Sequence, residues 1–294
     1  MQRTVLGIIG GSGVYAMDGL SDLREERIAS PWGEPSDALR FGVLEGVDVV
    51  FLARHGRGHA LGPSDINYRA NIDALKRAGV TDLISLSACG SLREDLAPGT
   101  FVLVDQFIDR TYARPKSFFG KGCVAHVSMA QPVCPKLVDA LANAAEAEDI
   151  PYRRGGTYLA MEGPQFSSLA ESKLYRSWGC DVIGMTNMPE AKLAREAELP
   201  YASVAMVTDY DCWHPDHGAV EVAHVIQTLM ANAQKANALI RRVAPLLGPE
   251  RTPSPAGIET TLDTAIITPP EARDPALLAK LDAVAGRVLK AQRS

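Results

Sequence analysis

An α/β fold with one central sheet is predicted by three features of the sequence. Short apolar runs alternate with helical periods along most of the chain. One run, Ala202 to Thr208, is continuous enough to be a strand buried on both faces. Small and polar residues gather where the runs end, which is where open α/β sheets hold their ligands.

The elements follow in order. Thr4 to Ile9 is a strand that runs into Gly10-Gly-Ser-Gly13. Glycines there let backbone N–H groups turn towards an anion, and Ser12 adds a hydroxyl; a plain tight turn fits the same residues. Residues 18–40 read as loop and turn. Phe41 to Leu44 and Val47 to Ala53 flank Glu45-Gly46 as a hairpin. The second of these strands ends in Arg54-His-Gly-Arg-Gly-His59, a candidate oxyanion site in which Arg54 supplies a fork of donors and His55 another donor near neutral pH. A solvated basic turn is the alternative.

Ser64 to Ala78 reads as a helix capped by Ser64 and ended by Gly79. Thr81 to Ala88 is a strand ending in Ser87-Ala-Cys-Gly-Ser91, and Thr100 to Val104 is another. Residues 111–134 are irregular and are expected near the site. Pro135 to Glu148 is an alanine-rich helix. Arg154 to Met161 leads into Glu162-Gly-Pro-Gln-Phe-Ser-Ser168, where Phe166 is placed to stack on a ring or to fill the core. Ser168 caps the next helix. Asp181 to Met185 is a short strand, and Pro189 suits the first turn of a helix from Glu190 to Glu198. The apolar strand from Ala202 then stops at Asp209 and Asp211. Strand alternation points both carboxyls to one side, where they either meet a ligand or cap the following helix. His217 to Val243 is the longest helix. Residues 245–255 read as a linker, followed by an apolar piece, Leu262 to Ile267, and an amphipathic helix from about Pro275 to Ala291. Residues 244–294 are thus linker and tail rather than a domain, and residues 1–243 carry the chemistry.

Composition limits the partners. The 294 residues carry a formal net charge of −5 with no basic block, so nucleic acid is not expected. No apolar run approaches the roughly 20 residues of a membrane span. The five cysteines are odd in number and lack CxxC spacing, which argues against a metal site or a disulfide framework and for a reduced, cytoplasmic setting.

Eight ordered stretches carry a resemblance: Gly10–Gly13, Arg54–Arg57, Asn67–Asn71, Ala88–Arg93, Asp105–Arg110, Glu162–Ser167, Gly184–Glu190 and Thr208–Trp213. Together they resemble the methylthioadenosine-cleaving branch of the trimeric purine nucleoside phosphorylase family over residues 4–243. The resemblance implies a mixed central β-sheet flanked by helices, a homotrimer, and reversible phosphorolysis in methionine and purine salvage. Phosphate would be a co-substrate, with no metal or organic cofactor. It assigns phosphate to Ser12, Arg54, His55, Ser87, the Ala88 backbone and Thr186. Met185 would lie against the ribose, and Phe166 and Ser167 against the base. Asp209 and Asp211 would act along the N6/N7 edge, and His59, Val222 and Val225 would line the 5′-sulfur region. An acid at 209 suits a 6-aminopurine, where 6-oxopurine members have asparagine. Gly184 departs from the asparagine common in adenine-specific members and leaves room for a 6-oxopurine or methylthioinosine phosphorylase. A purine-binding protein without turnover and a hydrolase are the other classes to separate.

Overall fold

The computed structural model describes residues 2–11, 19–215 and 222–291, with the side chains of 222–225 outside the description. β1 (Val5–Gly10) lies parallel to β4 (Val47–Ala53) on one side and to β5 (Asp82–Ser91) on the other. Its apolar run places it there, since Leu6, Ile8 and Ile9 are buried. β3 (Leu39–Leu44) joins β4 in the expected hairpin. Glu45 and Gly46 turn it with φ of 50° and 80°, the handedness that matches strand twist. β2 (Ser21–Glu26) pairs with the outer edge of β3 and corrects the expectation of loop over 18–40. All of Ser-Asp-Leu-Arg-Glu-Glu is exposed, so this edge strand has no apolar face to betray it.

β5 is the trunk of the sheet. β11 (Tyr201–Asp209) runs parallel along its free edge, while β10 (Val182–Gly184) pairs antiparallel with its last residues. From β11 the sheet continues to β6 (Phe101–Val104) and β8 (Tyr152–Arg154). From β10 it continues to β9 (Thr157–Ala160) and β7 (Gln106–Asp109). Parallel and antiparallel pairs coexist, so the sheet is mixed, as expected.

The helices are α1 (Tyr68–Arg77), α2 (Pro135–Ala147), α3 (Leu169–Ser177), α4 (Asn187–Glu196), α5 (Val222–Leu247), α6 (Pro275–Lys280) and α7 (Gly286–Ala291). Ser168 caps α3 in a reciprocal box with Glu171, as expected. α1 starts later than expected: Asn67 Oδ1, not Ser64, accepts the Ala70 N–H at 3.1 Å. α5 runs through Pro245 to Leu247, so no linker begins at 245. The tail helix is two helices with a turn between them. Among the described residues no helix is long and apolar enough to cross a membrane.

The tail packs into the main core through Ile258, Leu262, Leu281, Val284 and Val288. Buried charge fixes it as well. Glu198 accepts the Leu262 N–H at 2.9 Å and Arg287 Nε at 2.8 Å. Asp82, fully buried at the start of β5, accepts from Arg251 Nε at 3.2 Å and forms an ion pair with Lys136 Nζ at 3.1 Å. Removing one partner of such a group strands the other charges in the interior. Asp82→Ala is therefore expected to lower unfolding free energy by about 3–5 kcal/mol in a urea titration. A loss below about 1 kcal/mol, the scale of a surface pair, would show that these ties hold nothing.

Candidate active site

β1 and β4 end side by side against the middle of β5, and the Arg54 N–H donates to Gly10 O at 3.0 Å just past the β1–β4 register. Arg54 itself is 1% exposed. Its Nε donates to Glu190 Oε2 at 2.8 Å, and its Nη2 to Glu190 Oε1 at 3.1 Å and Ser85 Oγ at 2.7 Å. Nη1 donates to Leu86 O at 2.9 Å. Burial works against the cation, but the Glu190 carboxylate holds it charged. The fork that the sequence assigns to an oxyanion is thus taken by Glu190, and among these bonds one Nη1–H remains for a ligand. Tyr201 OH donates to Glu190 Oε1 at 3.0 Å, and Asn187 Nδ2 donates to Tyr201 OH at 2.8 Å.

Ser85 and Ser87 are two apart on β5 and share a face. Ser87 Oγ lies 3.3 Å from Thr186 Oγ1, both buried, and 3.2 Å from the carbonyl of Ala88. The structure therefore brings Ser87, Ala88 and Thr186 together, next along β5 to the Ser85 and Leu86 that hold Arg54. His55, next in the chain to Arg54, is half-buried and stacks flat on the exposed His59, ring centroids 4.1 Å apart. Its Nδ1 stands 2.9 Å from Leu61 O. A carbonyl only accepts, so the neutral ring carries its proton on Nδ1 and leaves Nε2 as an acceptor. Burial pushes the imidazole down to about 4. The ring's one hydrogen is spent on Leu61 O, so near neutral pH His55 keeps no donor for an oxyanion, which corrects the expectation that it supplies one. Ser12 lies outside the described residues.

The irregular segment 111–134 does reach this site, through a residue the sequence did not single out. Arg114 is buried, and its Nη1 donates to Met185 O at 2.5 Å and Met188 O at 2.7 Å, bracketing Thr186. Nη2 donates to Glu162 O at 2.6 Å. Glu162 in turn accepts the Tyr112 N–H at 2.6 Å and the Ser64 hydroxyl. An arginine beside a proline in a loop carries no periodic signal, so only the fold reveals it. Met185 packs over Gly163, where a Cβ would stand 2.5 Å from its sulfur.

Strand alternation is not what aims the two acids. β11 pairs Val207 with Cys89 and Asp209 with Gly90, so Thr208 is the extra residue of a bulge. Asp211 lies beyond the strand at a φ of 51°. The acids cap no helix, since turn follows them to residue 215. Asp209 Oδ1 accepts the Asp211 N–H at 2.8 Å, and Oδ2 accepts the Thr208 hydroxyl at 2.7 Å. A Cβ on Gly90 would stand 2.9 Å from Asp209 Oδ1, so only glycine admits the carboxyl there. Asp211 is 5% exposed, and its Oδ2 has no partner among the described residues. Burial raises both carboxyls above the usual range, and Asp209 adds to the rise at Asp211. Cys212 Sγ donates to Ser167 O at 3.3 Å, joining the 166–168 segment to this turn. Ser167 is buried there, while Phe166 is 46% exposed. The side chains of Val222 and Val225 lie outside the described residues.

The Ser87–Thr186 cluster and the Asp209 carboxyl thus both lie against β5. The profile described as "Phosphorylase superfamily" matches residues 5–245. The chain belongs to the phosphorylase superfamily. A relative within it, the S-methyl-5′-thioadenosine phosphorylase of Bradyrhizobium diazoefficiens, is 67% identical over 99% of this chain and 100% of its own. A methylthioadenosine phosphorylase from an antarctic soil metagenomic library superposes with a TM-score of 0.90 at 48% identity, over 97% of this chain and 99% of that one. The Schistosoma mansoni methylthioadenosine phosphorylase in complex with adenine gives 0.82 at 36% identity, over 88% and 96%. The resemblance read from the eight stretches is therefore borne out.

The state of His55 is open to measurement. In ligand-free protein its ring nitrogens should titrate near 4 by NMR, against about 6.5 for a free histidine. Between those values the unfolded chain binds the extra proton, so this residue's contribution to stability is lost as pH falls through that window. A midpoint above 6 would contradict the neutral state of the buried ring, and with it the acceptor role of Nε2.

Proposed function

We infer that the chain cleaves S-methyl-5′-thioadenosine with phosphate to give adenine and 5-methylthioribose 1-phosphate. The observation that carries this is the pair of raised, desolvated carboxyls, Asp209 and Asp211, the first set against Gly90 on the same strand whose Ser87 meets Thr186. Breaking N9–C1′ leaves the bonding pair on the purine and positive charge on the ribosyl C1′. An acid is then needed at N7, and an anion on the opposite face of the sugar. Asp209, held towards its protonated form, donates to N7; Asp211, with its free Oδ2, accepts from the exocyclic 6-amino group. A phosphate oxygen forms the new bond to C1′.

Phosphate is held by Ser12, Ser87, Thr186, the Ala88 backbone and the remaining Arg54 Nη1–H. His55 Nε2, an acceptor, takes the hydrogen of a monoprotonated phosphate rather than giving one. Met185 lies against the ribose, Phe166 and Ser167 against the base, and His59, Val222 and Val225 at the methylthio end. The chemistry calls for no metal or organic cofactor. The same reading carries a homotrimer, a cytoplasmic setting and a role in methionine and purine salvage. Exposed Tyr112, Leu169, Leu174 and Trp178 supply apolar surface for subunit contact, and sedimentation of a monomer at working concentration would remove the trimer.

The direct test is adenine release from methylthioadenosine with and without phosphate, beside inosine. Release that requires phosphate and prefers methylthioadenosine is expected; phosphate-dependent cleavage of inosine instead would assign a 6-oxopurine enzyme. Asp209→Asn should cost about 100-fold in kcat/KM and raise the relative use of inosine. Wild-type kcat/KM should fall as pH rises through the elevated Asp209 pKa, because the proton donor is lost, and that limb should vanish in Asp209→Asn.

A further inference from the structure

Tyr158 is fully buried on β9, and no step above uses it. Its hydroxyl lies 3.2 Å from Ser87 Oγ, and Ser87 Oγ in turn lies 3.3 Å from Thr186 Oγ1. It therefore meets the Ser87–Thr186 hydroxyl pair through Ser87. A Cβ built on Gly184 would overlap this hydroxyl outright and stand 2.6 Å from Cζ of the ring. Gly184 is not among the residues with positive φ, so it is not needed for its conformational freedom. It is needed for room: the phenol occupies the space a side chain at 184 would fill.

We propose that Tyr158 is a positioning residue of the phosphate pocket, its phenol donating to Ser87 Oγ so that the Ser87 hydrogen is turned to the bound anion. The argument is one of hydrogen count. A serine hydroxyl has one hydrogen and two lone pairs. Left alone, Ser87 can give that hydrogen to the Ala88 carbonyl at 3.2 Å or to Thr186 Oγ1 at 3.3 Å. Either oxygen of the Tyr158–Ser87 pair can be the donor, and the phenol hydrogen has Ser87 Oγ within reach at 3.2 Å. Burial pushes the phenol up to about 12, which keeps that hydrogen in place across the working pH range. With a lone pair of Ser87 engaged from behind, its hydrogen serves the phosphate. This is also the reason the chain keeps glycine at 184: any larger residue displaces the donor. The inference rests on the phosphorolytic reading above.

The test is Tyr158→Phe, which removes one oxygen, measured in wild-type and Ser87→Ala backgrounds. Inorganic phosphate is titrated by calorimetry, and both KM values are measured. Phosphate Kd and KM are expected to rise about fivefold, the size of one lost hydrogen bond, with the nucleoside KM within about twofold of wild type. In the Ser87→Ala background the same change should add almost nothing, because the effect passes through Ser87. Unchanged phosphate affinity, an equal rise in both KM values, or the full effect in the Ser87→Ala background would each overturn the proposal. Tyr158→Met, which also lacks the hydroxyl, stands in if the first variant does not fold. Wild-type protein that binds phosphate but cleaves no nucleoside would refute the phosphorolytic reading while leaving the calorimetric comparison decisive for Tyr158. Wild-type protein that binds no phosphate would overturn both.

Discussion

The Arg54–Glu190 pair is the constraint on which the site depends. Both side chains are 1% exposed, and neither is bearable there without the other. The guanidinium also demands acceptors for its remaining hydrogens, and it finds them at Leu86 O and Ser85 Oγ on β5. The carboxylate demands further donors, and Tyr201 at the start of β11 supplies one. One buried charge pair thereby ties the end of β4, the middle of β5, the first turn of α4 and the start of β11 into a single geometry. Thr186, next to α4, and Ser87, on β5, inherit their spacing from it.

β5 then carries that order to the other half of the site. Its length lets it pair with β1, β11 and β10, so one strand presents Ser85 and Ser87 below the anion pocket and Gly90 below the acids. Two devices at its far end re-aim the chain. The bulge at Thr208 shifts Asp209 out of simple alternation, and the missing Cβ of Gly90 lets its carboxyl settle close to the strand. The carboxyls so placed are desolvated and adjacent, which favours at least one proton between them. That is the state an acid at a purine nitrogen requires. The proposed phosphate side has a complementary character: its cation, Arg54, is already balanced by Glu190 and held by the hydroxyl and carbonyl of Ser85 and Leu86. Phosphate bound there as proposed draws on oriented hydrogen bonds more than on net charge, which is why the direction of each hydroxyl matters.

A second layer holds these groups. Arg114 fastens the carbonyls on both sides of Thr186, and Glu162 fastens the backbone just before Arg114. The segment that supplies Arg114 has little regular structure, and its order comes from these polar ties. Reaction geometry is sensitive to displacements of about an ångström, so such supports bear on rate without touching a substrate.

Features governed by local rules were legible in the sequence. The hairpin at Glu45-Gly46, the Ser168 capping box, the doubly buried β11 and the polar strand ends all follow from near-neighbour chemistry and periodicity. The residue types of the site were legible too, because a cluster such as Arg54-His55 or Asp209 with Asp211 has few bland uses. Tertiary structure decided the rest. β2 has no apolar face, so only pairing with β3 makes it a strand. The partner of Arg54, the acceptor role of His55 and the positions of Arg114 and Tyr158 all depend on groups far away in the chain. The sequence by itself determined which chemical groups are present and on which local elements they ride. Which hydrogen points where was decided only when burial removed water as a partner, leaving each polar atom to find its match across the fold.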